Sequence, residues 1–251
     1  MTKSYWHTTK FGYPNDSKHN APAEIAVLDV DGDGDVDVFV SEGYQPFPLP
    51  MHVLINDGKG HFADKTKSVL GSIPTGMHPR EIVVDDFNND GRPDLFVADH
   101  GYDHDPWPGA QNKLFLSSGA HGFVDATSSL PPASDFSHSA ASADIDGDKD
   151  IDIYVGDYGG NPINPFLLIN DGSGSFTRSS DRLPIQVATQ EAGFTTEVFL
   201  DADGDGDADL FLGGAASSSR IYLNPGNGDF SSATLIDVPQ GPFPVANMIA
   251  L

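Results

Sequence analysis

The chain contains no cysteine, so disulfides, thiol nucleophiles and thiolate metal sites are excluded. That absence leaves the compartment open, because disulfide-free proteins occur on both sides of a membrane. Basic residues are scarce: 13 Lys and Arg stand against 37 Asp and Glu, for a formal net charge of −24. Nucleic-acid backbones and anionic lipid both call for clustered Lys and Arg, so neither is an expected partner. No apolar run approaches the roughly 20 residues of a membrane-spanning helix, and none is expected to insert. Met1–Lys10 lacks an apolar stretch, so no signal peptide is expected within this chain. Also missing are G-x-S-x-G, H-E-x-x-H, a phosphate-cradling P-loop and a G-x-G-x-x-G that opens a helix. The 251 residues do hold 27 Gly, 19 Pro and 38% hydrophobic residues, a mix of many short strands and turns around a core.

The chain repeats itself. Asp29–Asp37 (DVDGDGDVD), Asp86–Asp94 (DFNNDGRPD), Asp144–Asp152 (DIDGDKDID) and Asp201–Asp209 (DADGDGDAD) align without gaps, 57, 58 and 57 residues apart. They hold five, three, five and five of the 37 acidic residues. A β-prone apolar run follows each, and a shorter one precedes it, such as Ile25–Leu28 or Val198–Leu200. A second signature comes later in each period: VLINDGKGHF, LFLSSGAHGF, LLINDGSGSF and IYLNPGNGDF. An apolar strand, a Gly-rich turn and a strand opening on Phe make a hairpin.

One period therefore reads as four short strands, A to D, with the acidic loop between A and B. Helical periodicity is weak throughout. Four antiparallel strands per period is the pattern of a propeller blade, and blades bury one another's faces. The expected architecture is an all-β propeller of four-stranded antiparallel blades. Residues 23–77, 78–135, 136–192 and 193–244 are the four blades, after an extension at 1–22 and before a further strand A at 245–251. Tyr5–Lys10 reads as an outer strand of a missing or split blade. Two arrangements fit these ends: a segment of a longer propeller, which is favoured, or a small propeller closed by pairing its ends.

The acidic loops follow D-x-[DN]-x-D-G-x-x-D. Side chains at positions 1, 3 and 5 of a tight loop turn to one centre, and Gly at position 6 permits positive φ. Position 7 offers a carbonyl and position 9 a further carboxylate. Hard oxygen donors in this number suit Ca²⁺. The ligand sets are Asp29, Asp31, Asp33, Asp35 and Asp37; Asp86, Asn88, Asp90, Arg92 and Asp94; Asp144, Asp146, Asp148, Asp150 and Asp152; and Asp201, Asp203, Asp205, Asp207 and Asp209. Asp35, Arg92, Asp150 and Asp207 contribute through their carbonyls. Up to four ions are expected, with loop 144–152 weakest because Lys149 replaces the position-6 glycine. An EF-hand needs Glu at position 12; Val40, Val97, Val155 and Leu212 stand there.

With these loops and the NDGxGxF hairpins, the sequence resembles the FG-GAP and VCBS repeat families, the blades of integrin-α-type propellers and of many secreted bacterial proteins. The resemblance covers about Ala23 to Leu251. It implies a seven-bladed propeller with calcium in the A–B loops, and roles in adhesion, carbohydrate binding or scaffolding. Some related propellers are lyases or dehydratases acting on sugars.

The A–B loops lie at one end of such blades, so ligand contacts are expected at the other. Three B–C loops there carry aromatics among polar groups, which suits sugar rings. They offer Tyr44 and Phe47; Tyr102, Asp103, His104 and Trp107; and Tyr158 and Asn161. His19, His78 and His138 precede strand A at unequal offsets and read as surface-loop histidines. Glu24 and Glu81 share one repeat position, at the axial channel or a strand end. The expected function is a calcium-binding, non-catalytic module, extracellular or on the cell surface, that recognises a glycan or protein and is attached to further blades or domains. The alternatives are a sugar-active lyase or dehydratase, with Tyr102, His100 or His104 as acid and base and Arg80 nearby, or a scaffold in a larger secreted protein.

Overall fold

The computed structural model describes residues 22–238, apart from 44–46, 103, 120–121, 158–163, 190–193 and 215–217. The expected strand pieces at Tyr5–Lys10 and Val245–Leu251 lie outside the described residues. So do His19, Tyr44, Asp103, Tyr158 and Asn161.

Each repeat forms one antiparallel meander. Blade 1 is β1 (Pro22–Leu28), β2 (Asp37–Glu42), β3 (Leu49–Asn56) and β4 (Phe62–Asp64), followed by helix α1 (Thr66–Leu70) and a two-residue strand, β5 (Thr75–Gly76), on β3. Blade 2 is β6 (Pro79–Asp85), β7 (Asp94–Asp99), β8 (Lys113–Ser117) and β9 (Phe123–Asp125). Blade 3 is β10 (Ser137–Ala143), β11 (Asp152–Asp157), β12 (Phe166–Asn170) and β13 (Phe176–Ser179), followed by α2 (Ile185–Ala188). Blade 4 is β14 (Phe194–Leu200), β15 (Asp209–Gly214), β16 (Arg220–Leu223) and β17 (Thr234–Asp237). In blade 4 the outer strand does not open on Phe230. That residue starts a 3₁₀ turn, Phe230–Ser232, capped by the Asp229 side chain on the Ser231 N–H, and buries its ring in the core. Position 12 of every acidic loop lies in a strand, as the exclusion of an EF-hand requires.

The first strands β1, β6, β10 and β14 pack side by side, so successive blades stack face to face. The second strands are buried on both faces and divide their side chains between neighbours. In β7, Leu95 and Val97 join blade 1, while Phe96 and Ala98 join blade 3. In β11, Ile153 and Val155 face blade 2, while Tyr154 meets Leu210, Leu212 and Tyr222 of blade 4. A fully buried Phe or Leu contributes about 1.5–3 kcal/mol, so three such interfaces hold the array together.

The acidic loops are tied into this core by their last aspartate. Asp37, Asp94, Asp152 and Asp209 are buried. One oxygen of each accepts the N–H of loop position 2: Val30, Phe87, Ile145 and Ala202. The other accepts the N–H at the end of the third strand: Asn56, Ser117, Asn170 and Asn224. The asparagines opening the Gly-rich turns extend the stitching. Asn170 Nδ2 donates to the Phe87 carbonyl and Asn224 Nδ2 to the Ile145 carbonyl, each in the preceding blade's loop.

Carboxyl groups are also buried along the inner strands. Burial, with the Glu24 charge adding, pushes Glu81 up to about 7. Burial, partly offset by Ser139 and reinforced by Glu81, pushes Glu197 up to about 8. A pKa raised in the fold favours the protonated form there. The associated stability is complete below the unfolded value of about 4.5 and is lost as pH rises through about 8.

Two outcomes follow from these buried carboxyls. Asp94→Ala strips two buried N–H groups of their acceptor and lowers unfolding free energy by about 3 kcal/mol in urea titrations. Glu197→Gln removes part of the fall in stability between about pH 4.5 and about pH 8, read as the difference between the wild-type and variant curves.

Candidate metal loops and ligand face

In each acidic loop the first aspartate organises the backbone. Asp29 Oδ1 accepts the N–H of Gly32 and of Asp33, and its Oδ2 that of Gly34. Asp144 and Asp201 accept from the matching positions 4 and 6. Positions 4 and 6 both lie at positive φ. Position 6 is Gly34, Gly91, Lys149 and Gly206, so Lys149 takes a left-handed conformation, φ 75°, that costs about 1–2 kcal/mol.

Carboxylate oxygens within 4.8 Å of one another come from Asp29, Asp31 and Asp33; from Asp144, Asp146 and Asp148; and from Asp201, Asp203 and Asp209. Crowding has an electrostatic signature. Burial and then the charges of Asp33, Asp37 and Asp29 raise Asp31. Loss of solvation and the neighbouring Asp205, Asp209 and Asp201 raise Asp203. Burial pushes Asp152 up to about 7, with Asp146 and Asp148 adding. A divalent cation reverses these shifts, and an all-oxygen donor set of this charge fits calcium.

The four loops are not equivalent. Loop 86–94 forms no such group of three acids among the described residues. Its Asp90 carboxylate is held by Arg92 Nη2 at 2.7 Å and by the Ser117 hydroxyl. The guanidinium stands where a cation's charge is needed. Loop 144–152, expected to be weakest, gathers its carboxylates despite Lys149. At position 9 the carboxylates are buried and accept backbone N–H groups. Asp37, Asp94 and Asp152 lie outside the converging groups, and of these four only Asp209 lies within one. The side chains of Asp35, Asp150 and Asp207 pack against the turn glycines Gly58, Gly172 and Gly226.

At the opposite end of blade 2 the loop 101–109 is pinched at its base. A Cβ on Gly101 would collide with the Gly109 carbonyl, and one on Gly109 would lie 2.6 Å from the Ser134 and Asp135 carbonyl oxygens. Ala110 and Asp135 exchange backbone hydrogen bonds beneath it. Above this neck Tyr102 and His104 stack with ring centroids 5.7 Å apart. Trp107, 39% exposed and at φ 57°, meets Phe136 edge-on at 5.7 Å. Phe47 is exposed on blade 1.

Below Phe136 lies a group that the sequence reading undervalued. His100, 2% exposed, packs on Phe136, and its ring centroid is 5.5 Å from those of His78 and His138. His78 is buried, not a surface-loop histidine. His100 stands in the sequence as one of three candidate acid–base residues near Arg80, and nothing in its spacing marks it as the centre of a cluster. Burial pushes it down to about 3, with Arg80, His138 and His78 adding repulsion.

A family model of FG-GAP-like repeats matches residues 29–97, 86–155 and 201–250. Cartilage acidic protein 1 of Mus musculus is 26% identical over 200 residues, covering 77% of this chain and 30% of that protein. The Homo sapiens protein of the same name is also 26% identical over 200 residues, 77% of this chain and 29% of its own length. The chain thus spans about 30% of the length of these curated relatives. A crystal structure of BBS1N in complex with ARL6DN aligns at TM-score 0.44 and 14% identity, over 88% of this chain and 58% of that one. With repeat matches running through both halves of an all-β array of four-stranded blades, the chain belongs to the FG-GAP-like repeat family.

Proposed function

We propose that this chain is a calcium-stabilised, non-catalytic β-propeller module of the extracellular space that recognises a glycan or protein through the end opposite its acidic loops. The observation that carries the reading is the division of labour along each sheet. Carboxylates converge at one end in three loops, and a rigid aromatic loop stands at the other end of blade 2. The relatives named for cartilage and for acidity support the setting, since this chain too is strongly acidic. Calcium at extracellular levels fills sites of modest affinity. Exposed Ile25, Val27 and Val36 on blade 1 support attachment to a further blade.

The lyase alternative needs an acid or base titrating near neutrality. His100, pushed down to about 3, stays neutral, which counts against it in that role.

Three sites, at loops 29–37, 144–152 and 201–209, bind calcium, and loop 86–94 does not. Titration calorimetry is expected to count three ions per chain. With a Kd near 0.1 mM each, 1 mM calcium adds about 4 kcal/mol in total, or about 10 °C in Tm. A melting curve unchanged by EDTA overturns the calcium reading. On a glycan array, Trp107→Ala is expected to lose at least tenfold in binding; signals equal to wild type overturn the assignment of the ligand face.

A further inference from the structure

Arginines meet the acidic loops in two different ways. In loop 86–94 the Arg92 guanidinium is held firmly. Its Nη2 lies 2.7 Å from Asp90 Oδ2, its Nη1 donates to the Gly119 carbonyl, and the Ser117 hydroxyl steadies Asp90 as well. In loop 144–152 the guanidinium comes from outside the loop. Arg182, between β13 and α2, places Nη1 3.4 Å from Asp146 Oδ2. Charge-assisted N–H···O bonds usually close to about 2.7–2.9 Å, so this pair is loose. The other oxygen, Asp146 Oδ1, is buried and accepts no hydrogen bond. A buried carboxylate oxygen without a donor is costly, and this one belongs to a residue whose neighbours Asp144 and Asp148 already converge on it.

Arg182 is peculiar to blade 3. It stands six residues after Phe176, where Ser68 follows Phe62 in blade 1 and Ser129 follows Phe123 in blade 2. The next residue, Leu183, is buried in the core that holds Ile145, which keeps the guanidinium beside the loop. Blade 4 closes over the same loop. Asn224 Nδ2 donates to the Ile145 carbonyl, and a Cβ on Gly228 would lie 2.9 Å from the Ile145 side chain and 3.2 Å from Asp146 Cβ. That turn ends in Asp229, which caps the 3₁₀ turn Phe230–Ser232. Hydrogen bonds from Ser231, and then the Arg182 charge, hold the Asp229 carboxyl below its ordinary value. Arg182 therefore stands between two acids, Asp146 of its own blade and Asp229 of the next. Asp181 beside it bonds the Ser179 hydroxyl.

We propose that Arg182 is a displaceable latch on the calcium loop of blade 3: without calcium it rests on Asp146, and as the loop fills it moves to Asp229 of blade 4. The inference rests on the calcium reading above and concerns the regulation of one of its sites. Asp146 offers one loosely paired oxygen and one bare one, a state that favours a doubly charged, oxygen-seeking cation over a single guanidinium. Once the loop carries positive charge, the guanidinium is repelled from it, and Asp229 is the blade 4 acid that already feels it. Arg92 supplies the contrast. Bound tightly to Asp90 and to a carbonyl, it stays in place and keeps its loop free of ions. The latch lowers the affinity of the blade 3 site and ties its filling to a new contact between blades 3 and 4.

The test is calcium titration of the full chain against a chromophoric chelator, which resolves the affinity of each site. Asp148→Asn and Asp203→Asn mark the sites of loops 144–152 and 201–209. Arg182→Gln is expected to tighten the site that Asp148→Asn removes by about fivefold, the reach of a partly exposed ion pair, and to leave the site that Asp203→Asn removes unchanged. Asp229→Asn is expected to weaken the blade 3 site about threefold in the wild-type background and not at all beside Arg182→Gln, a coupling that a double-mutant cycle reads. An effect of Asp229→Asn that is equal in both backgrounds is plain charge repulsion and overturns the latch. A blade 3 affinity that Arg182→Gln leaves unchanged or lowers overturns it too. If Arg182→Gln melts early in EDTA, the wild-type chain decides. Its Arg182 Nε–H resonance, identified by its loss in Arg182→Lys, shifts as the blade 3 site fills; a resonance that calcium does not move overturns the latch. Calcium bound at loops 29–37 and 201–209 but not at 144–152 overturns the latch and leaves calcium binding standing elsewhere. Absence of calcium binding at every loop overturns both.

Discussion

Four buried aspartates hold the architecture in register. Each takes one N–H from its own loop and one from the end of the third strand, so a single carboxylate fixes both the loop and the hairpin beyond it. Hydrogen bonds to a charged acceptor are stronger than neutral ones, and a buried N–H without a partner is costly. The loop's remaining carboxylates are thereby pinned in a crowd they would otherwise leave. The crowding at this end is a by-product of that restraint: among the described residues three loops gather acids, and the one with an internal guanidinium does not.

Much of this was legible in the sequence. The period, the four strands and the exclusion of an EF-hand all follow from spacing and from what stands at position 12. Lys149 was rightly read as a strained substitute for glycine, but its strain does not disperse the carboxylates. The sequence could not mark which aspartate of each loop ties it to the core, because all of them are acids at fixed offsets. Burial decides that, and burial of position 9 depends on the neighbouring blade. Arg92 enters the sequence reading only through its carbonyl, whereas in the fold its guanidinium holds the Asp90 carboxylate.

The end opposite the acidic loops was harder to read for a topological reason. His78 and His138 looked unrelated because their offsets from the loops differ. The informative column is the bulge position, which pairs Arg80 with His138 and is visible only once the repeats are aligned on strand pairing. His100 is visible in the sequence as an imidazole near Arg80, but its burial against His78, His138 and Phe136 comes from the fold.

The glycine neck of loop 101–109 has a consequence for how such surfaces diversify. Its two ends meet at one point on the blade, and the backbone there is fixed by Ala110 and Asp135. Above this joint Tyr102 and His104 stack on each other, and Trp107 rests on Phe136 just before β10. Loops of other length and composition can be exchanged at this joint with little effect on the core, so a single scaffold of this kind can acquire new binding specificities by loop replacement alone.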